Sequence, residues 1–360
     1  MKDYLDKTNT TAIKGIALIC IFLHHFFTFP KYYIEGIAYP ELSSFAKYFC
    51  LPLKICVPVF AFFTGYFYFT NQKKTLLYSI RKISDILLQY WAIYIPFLCF
   101  ALVANCYQFD ILNISYELFA LKRPVMVFCW YVNFYYCTML LLPLLSKNSN
   151  NKPLVDVLVW LLFPNIMCLL LTRYNNNSIV QQLFNNVQQW FPCVAAGYLF
   201  AKYSLFDIFD NIMGNFKKHW RIVLYILLII VAVMGRYVFR AFTVGSIYIQ
   251  KKAFTLRFTT DILYAPMFIF GSAKLLQYAK ESWIHKVLRA IGKKSLLMWF
   301  IHCIFFNACK TLTQKILYFP KNPILVTLFG LLLCYVFATM ISFIIDPLLR
   351  KKNKLFQCKA

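Results

Sequence analysis

Two ionisable residues stand where an apolar helix should have none. The run KTNTTAIKGIALICIFLHHFF, from Lys7, places Lys14 and His25 eleven positions apart in an otherwise apolar stretch. Eleven steps of an α-helix turn through about 1100°, so the two side chains project from nearly one face, about 16 Å apart along the axis. His24 points about 80° away. Ionisable groups inside a membrane are costly, and they face the bundle interior or a water-filled cavity. A histidine there is a candidate general base, because its ordinary pKa lies near neutrality. The bland alternative is that His24 and His25 only hydrogen-bond a neighbouring helix.

Other polar residues in apolar surroundings carry weaker signals. Ser295 and His302 are seven apart, near two helical turns, and share a face; lining a pocket and packing between helices remain open for both. Arg236 and Arg240 form an i,i+4 pair that snorkels to the interface, meets Asp261 or serves an anionic glycan, the structural readings being preferred. Trp130 reads as an interface anchor rather than a surface for stacking a sugar, and Asp346 before Pro347 as the end of the last helix, paired with nearby basic residues. No Ser/His/Asp arrangement emerges from spacing. No Cys/His spacing suits a metal, so none is expected.

These residues need helices in lipid to hold them. The 360 residues are 61% hydrophobic and 14% charged, with 38 Phe and 25 Tyr; a soluble chain carries about a quarter charged residues. Measured against about 20 apolar residues per span, ten candidates appear, near 12–30, 50–70, 84–104, 125–145, 154–172, 187–201, 222–242, 258–276, 295–312 and 324–346. Asn148–Asn151 and Asn175–Asn177 read as loops, and Pro30, Pro124, Pro153, Pro320 and Pro323 fall at or near helix ends. Thirteen cysteines lie mostly within apolar runs and serve as small hydrophobes. The first run lacks a small-residue cleavage site and reads as a retained helix.

The net charge of +25 is spread through short segments between apolar runs, without a nucleic-acid-binding motif, so no nucleic acid is expected. Instead it orients the chain. With both termini on one side, that side holds about 24 of the 38 basic residues, including Lys73/Lys74/Arg81/Lys82, Lys217/Lys218/Arg221, Lys286/Arg289/Lys293/Lys294 and Arg350/Lys351/Lys352/Lys354. That side is the cytoplasm by the positive-inside rule. The expectation is an all-α, polytopic membrane bundle of about ten helices with cytoplasmic termini. It is a single domain over 1–360, without a separate soluble domain.

The run TTAIKGIALICIFLHHFF, from Thr10, resembles the opening helix of acyltransferase family 3, the membrane O-acyltransferases whose signature is Arg or Lys, ten residues, then His. VPVFAFFTGYFYF from Val57 is similar to that family's second helix, with Thr64-Gly65 where Ser-Gly is commoner. FCWYVNFYYCTMLLLPLL from Phe128 resembles its Trp-led helix, and IGKKSLLMWFIH from Ile291 its late Gly, Ser, aromatic and His segment. The resemblance implies transfer of an acyl group, most often acetyl from acetyl-CoA, to a hydroxyl of a surface polysaccharide or its lipid-linked precursor. His25 would be the catalytic histidine, with Lys14 as its basic partner or as a contact to donor phosphate. Arg81, Lys82, Ser295 and His302 would line the substrate site. The family's second arginine, four after Arg81, falls on Asp85 here. The resemblance implies a multi-pass protein of the inner (plasma) membrane with no bound cofactor, acetyl-CoA being a substrate, and leaves a separate partner protein open. The competing reading is a transporter or flippase for a lipid-linked glycan or small anion.

Overall fold

The computed structural model describes residues 5–29, 45–71, 75–122, 125–147, 152–174, 177–239, 247–306 and 308–358; Arg240, Lys73, Lys74, Pro30 and Pro124 lie outside them. The described residues are mostly helical, without strands. The principal helices are α1 (Lys7–Phe27), α2 (Cys56–Thr70), α3 (Leu76–Val103), α4 (Ile111–Leu118), α5 (Trp130–Lys147), α6 (Ser178–Lys202), α7 (Lys218–Ile230), α8 (Ile247–Tyr278), α9 (Trp283–Cys303) and α10 (Pro323–Cys358). Large apolar side chains point outward, Phe343 at 77% and Ile344 at 68% exposure among them. Asn9, His25, Asn133, Arg236, Asp261 and His302 are buried. Such an inside-out distribution belongs to a helical membrane protein.

Every segment expected to span overlaps a helix, but length and apolarity single out fewer. Six described segments qualify: Lys7–Phe27, Tyr48–Thr70, Leu76–Val103, Val127–Lys147, Lys218–Phe239 and Pro323–Phe356. Trp283–Phe306 with Lys310–Leu317 makes a seventh if the 116° bend between them lies within one span. α6 falls short because its first half carries Gln181, Gln182, Asn185, Asn186, Gln188 and Gln189.

Two boundaries differ from the sequence expectation. The ninth segment starts at Trp283, not near 295, because the Ser282 hydroxyl caps it by accepting the His285 N–H at 3.2 Å. Lys286, Arg289, Lys293 and Lys294 therefore ride on a helix rather than in a loop. The last helix does not end at Asp346. It continues through Pro347 to Cys358, while Asp346 pairs with a basic residue as expected, Lys294 at 3.6 Å.

Two close crossings organise the bundle. A Cβ built on Gly15 would sit 2.1 Å from the Leu288 carbonyl oxygen, and one on Gly292 would sit 1.8 Å from that of Thr11. Only glycine lets α1 and α9 touch backbone to backbone there. Gly65 and Gly197 do the same for α2 and α6, at 1.8 Å from Val194 O and 2.0 Å from Phe62 O. Arg236 donates to both Asp261 oxygens, at 2.5 and 3.1 Å, tying the segment after α7 to α8; this is the pairing considered from the sequence.

Candidate active site

α1 and α9 run parallel in a fixed register. Asn9 meets His285 at 3.0 Å, Gly15 crosses Gly292, and His25 meets His302, each pair 276 or 277 positions apart. The glycine crossing lies ten residues before each histidine, so it delivers the two imidazoles to one level. His25 Nδ1 and His302 Nε2 are 2.7 Å apart, and the other nitrogen of His302 faces the Trp299 carbonyl.

That carbonyl assigns the protons. A carbonyl oxygen only accepts, so His302 Nδ1 carries hydrogen and its Nε2 holds the lone pair. His25 Nδ1 must then donate to His302, which leaves the lone pair of His25 on Nε2. In this tautomer His25 is a base at Nε2, and His302 orients it as a hydrogen-bond acceptor orients a metal-binding or catalytic histidine.

Aromatic rings fix both imidazoles. Phe128 stacks on His25 with centroids 3.9 Å apart, and Phe22 stacks on His302 at 5.0 Å. Phe128 is itself placed by a buried carboxylate in the connection between α3 and α5. Glu117 of α4 accepts the Val125 N–H at 3.2 Å and the Tyr107 hydroxyl at 2.9 Å. The Tyr90 hydroxyl and the Trp91 indole N–H clamp the same turn through the carbonyls of Glu117 and Leu118. Burial pushes the Glu117 carboxyl up to about 7. Nothing in the sequence marked Glu117, since its partners lie on other elements.

His25 opens onto a cavity of about 850 Å³, within the size range of small-molecule sites. Lys14 and His25 both border it, as the spacing on α1 predicts, and the Lys14 ammonium lies 5.3 Å from the Phe67 ring centroid. One end is bordered by Tyr78, Lys82, Asp85, Gln89, Leu349 and Asn353, the other by His25, Lys54, Phe128, Trp130, Asn186 and Gln189. His24, expected to point away, also borders the cavity, but its Nδ1 is 3.2 Å from the Cys50 carbonyl. That contact turns the ring toward the segment before α2.

The remaining residues read from the sequence divide. Lys82 and Ser295 border the cavity; Arg81 and His302 do not. Arg81 Nε donates to Asn353 at 2.7 Å, which turns this side chain toward α10. His302 stands behind His25, fully buried, as an orienting group rather than a substrate contact. Asp85, at the position of the expected second arginine, is held by Lys352 at 2.5 Å and Lys82 at 3.7 Å. Lys352 comes from the helical extension of α10 and also donates to Ser84 at 2.7 Å. A cation therefore reaches the place of the missing arginine from a segment 267 residues away. Trp130 faces the cavity and stacks on Trp190, centroids 5.7 Å apart, rather than anchoring the outer surface.

A family model described as an acyltransferase domain matches residues 4–344. No curated protein and no solved structure matches the chain.

Proposed function

Because this chain belongs to acyltransferase family 3, whose model covers nearly all of it, and is a helical membrane protein, we propose that it O-acylates a surface glycan. The acyl group is acetyl, the donor acetyl-CoA, and the acceptor a hydroxyl of a surface polysaccharide or its lipid-linked precursor. The observation that carries this reading is one cavity bordered by three ammonium groups, Lys14, Lys54 and Lys82, and by the oriented imidazole of His25.

The donor enters at the end bordered by Lys82 and Asn353. Lys14 lies along α1 between that end and His25, about 16 Å below the imidazole. It therefore acts on the donor's phosphates or pantetheine arm rather than on the reacting carbonyl. His25 Nε2 takes the proton of the acceptor hydroxyl as its oxygen attacks the thioester carbonyl. The tetrahedral intermediate then collapses, the C–S bond breaks, and the imidazolium returns that proton to the departing sulfur. The products are an O-ester and free CoA, and His25 is neutral again. His302 supports the cation transiently formed on His25, because its Nε2 lone pair faces the Nδ1 hydrogen.

In this reading ten helices cross the inner membrane and both termini are cytoplasmic. The contacts of Arg81 with Asn353 and of Lys352 with Asp85 gather basic residues of α3 and α10 at one end of the bundle, as the positive-inside rule requires of the cytoplasmic end. The test is a mass comparison of surface glycans from cells with and without the gene. Loss of one acetyl per repeat without the gene is expected; identical glycan masses would refute the assignment.

A further inference from the structure

α6 contains the segment QQLFNNVQQ, from Gln181, an unusual cargo for a helix inside a membrane bundle. Gln182, Asn186 and Gln189 are spaced by four and three, so they fall within one stripe about 60° wide and about 10 Å long. Burial increases along it: Gln182 is exposed, while Asn186 and Gln189 are partly buried. Asn186 and Gln189 border the main cavity beside Trp130 and Trp190. Gln182 borders a second cavity of about 510 Å³ with Lys122, Ser178 and Ile179. Val127 borders both cavities and immediately precedes Phe128, the ring stacked on His25. The amide stripe thus leads from an outer cleft to the level of the base.

We propose that this stripe is the acceptor subsite, and that it takes a neutral, hydroxyl-rich ligand, a sugar ring, entering from the outer cleft toward His25. The proposal rests on the acyltransferase reading above. Each side-chain amide both donates and accepts, as a hydroxyl does, whereas an anion asks for donors alone. Of the nearest ammonium groups, Lys122 donates to Asn113 Oδ1 at 2.8 Å and lies 4.9 Å from the Tyr116 ring centroid, and Lys54 lies 5.9 Å from the Trp190 ring centroid. Asn186 is held by donating to Asn133 at 3.2 Å, and Asn133 donates to the Ala120 carbonyl at 3.0 Å, so this amide is fixed before a ligand arrives. Trp130, stacked on Trp190, adds the aromatic surface against which the C–H face of a sugar packs.

The experiment uses the full chain in liposomes with acetyl-CoA, reading thiol release and ester formation. The acceptors are methyl glycosides of glucose, galactose, mannose and N-acetylglucosamine, with methyl glucuronoside and cyclohexylmethanol as comparators. At least one neutral glycoside is expected to be the preferred acceptor. Gln182→Leu and Gln189→Leu should each raise its KM about fivefold to tenfold, the loss of one neutral hydrogen bond, mainly in KM rather than kcat. CoA binding by each variant reports folding, and Gln189→Asn, which shortens the amide's reach, provides a milder variant with the same expected direction. Unchanged acceptor KM in all three variants overturns the subsite while leaving the transferase reading intact. Preference for methyl glucuronoside or cyclohexylmethanol overturns the ligand class. Absence of any His25-dependent turnover of acetyl-CoA by the wild type overturns both readings.

Discussion

Replacing His302 with phenylalanine tests whether the second imidazole orients the first. Phenylalanine keeps the ring that stacks on Phe22 at 5.0 Å but removes the nitrogen 2.7 Å from His25 Nδ1. His25 is buried, so its Nδ1 hydrogen loses its acceptor without ready replacement by solvent. A lost neutral hydrogen bond costs about 1 kcal/mol, and a buried donor left unsatisfied costs about 1–3 kcal/mol. Nothing then favours the tautomer with its lone pair on Nε2. At about 1.4 kcal/mol per tenfold, kcat should fall about tenfold to a hundredfold. KM for donor and acceptor should hold, because His302 does not border the cavity. Glutamine, whose Oε1 can accept from His25, should retain more activity than phenylalanine. Steady-state thiol release from acetyl-CoA in proteoliposomes provides the numbers. A kcat within twofold of wild type for His302→Phe, or a change confined to KM, would refute the orienting role.

Further outcomes follow from the same geometry. His25→Ala should abolish transfer while the protein stays in the membrane fraction, and Lys14→Ala should weaken transfer strongly by raising donor KM; His24→Ala should be milder, and equal loss at the two histidines in the same assay would contradict the roles given to them. Gly292→Ala should lower both melting temperature and activity, since its Cβ would meet the Thr11 carbonyl at 1.8 Å and the overpacking costs about 1–3 kcal/mol; equal thermal stability in detergent would contradict the crossing. Arg236→Ala should destabilise by about 3–5 kcal/mol by stranding Asp261, whereas Arg236→Leu with Asp261→Leu should recover most of that loss in the same melting assay. Glu117 is pushed up to about 7 by burial, from an ordinary value of 4.5. The folded state therefore holds the proton more tightly between these values, and stability should fall by up to about 3 kcal/mol as pH rises from 4.5 through 7. Glu117→Gln should lack that slope when melting is compared at pH 5 and pH 8.

The helices and the α1 stripe were legible because both depend on local periodicity. Lys14 and His25 are on one helix, so 100° per residue suffices to put them on one face. His302 was visible as an intramembrane histidine, yet its role was not, since its partner lies 277 residues away. The glycine crossing that joins them shows in sequence only as Gly15 and Gly292, with nothing to say that they meet. The start of α9 was missed because a basic first half looks like a cytoplasmic loop until the Ser282 cap is recognised. Pro347 misled for a related reason: a proline ends many helices, but one in a long membrane helix can be carried through. Lys352 shows the same limit, since the cation that meets Asp85 comes from the far end of the chain.

The amides of α6 had a different fate. Six of them in nine residues lower the apolarity of the segment, and a hydropathy ruler registers only a short, doubtful span. Their spacing by four and three was the available signal. It acquires meaning once the neighbouring helices show which amides border a cavity and which, like Gln188, are buried in packing.

The most direct measurement follows the label from donor to ester. Purified wild-type protein and His25→Ala, reconstituted side by side, are given acetyl-CoA labelled in the acetyl group together with a glycan acceptor, and CoA binding is recorded for both. Labelled O-acetyl ester is expected with the wild type, and none with His25→Ala despite retained CoA binding. Ester formed by His25→Ala at the wild-type rate, or glycan moved across the bilayer by the wild type with no ester made, would contradict that expectation.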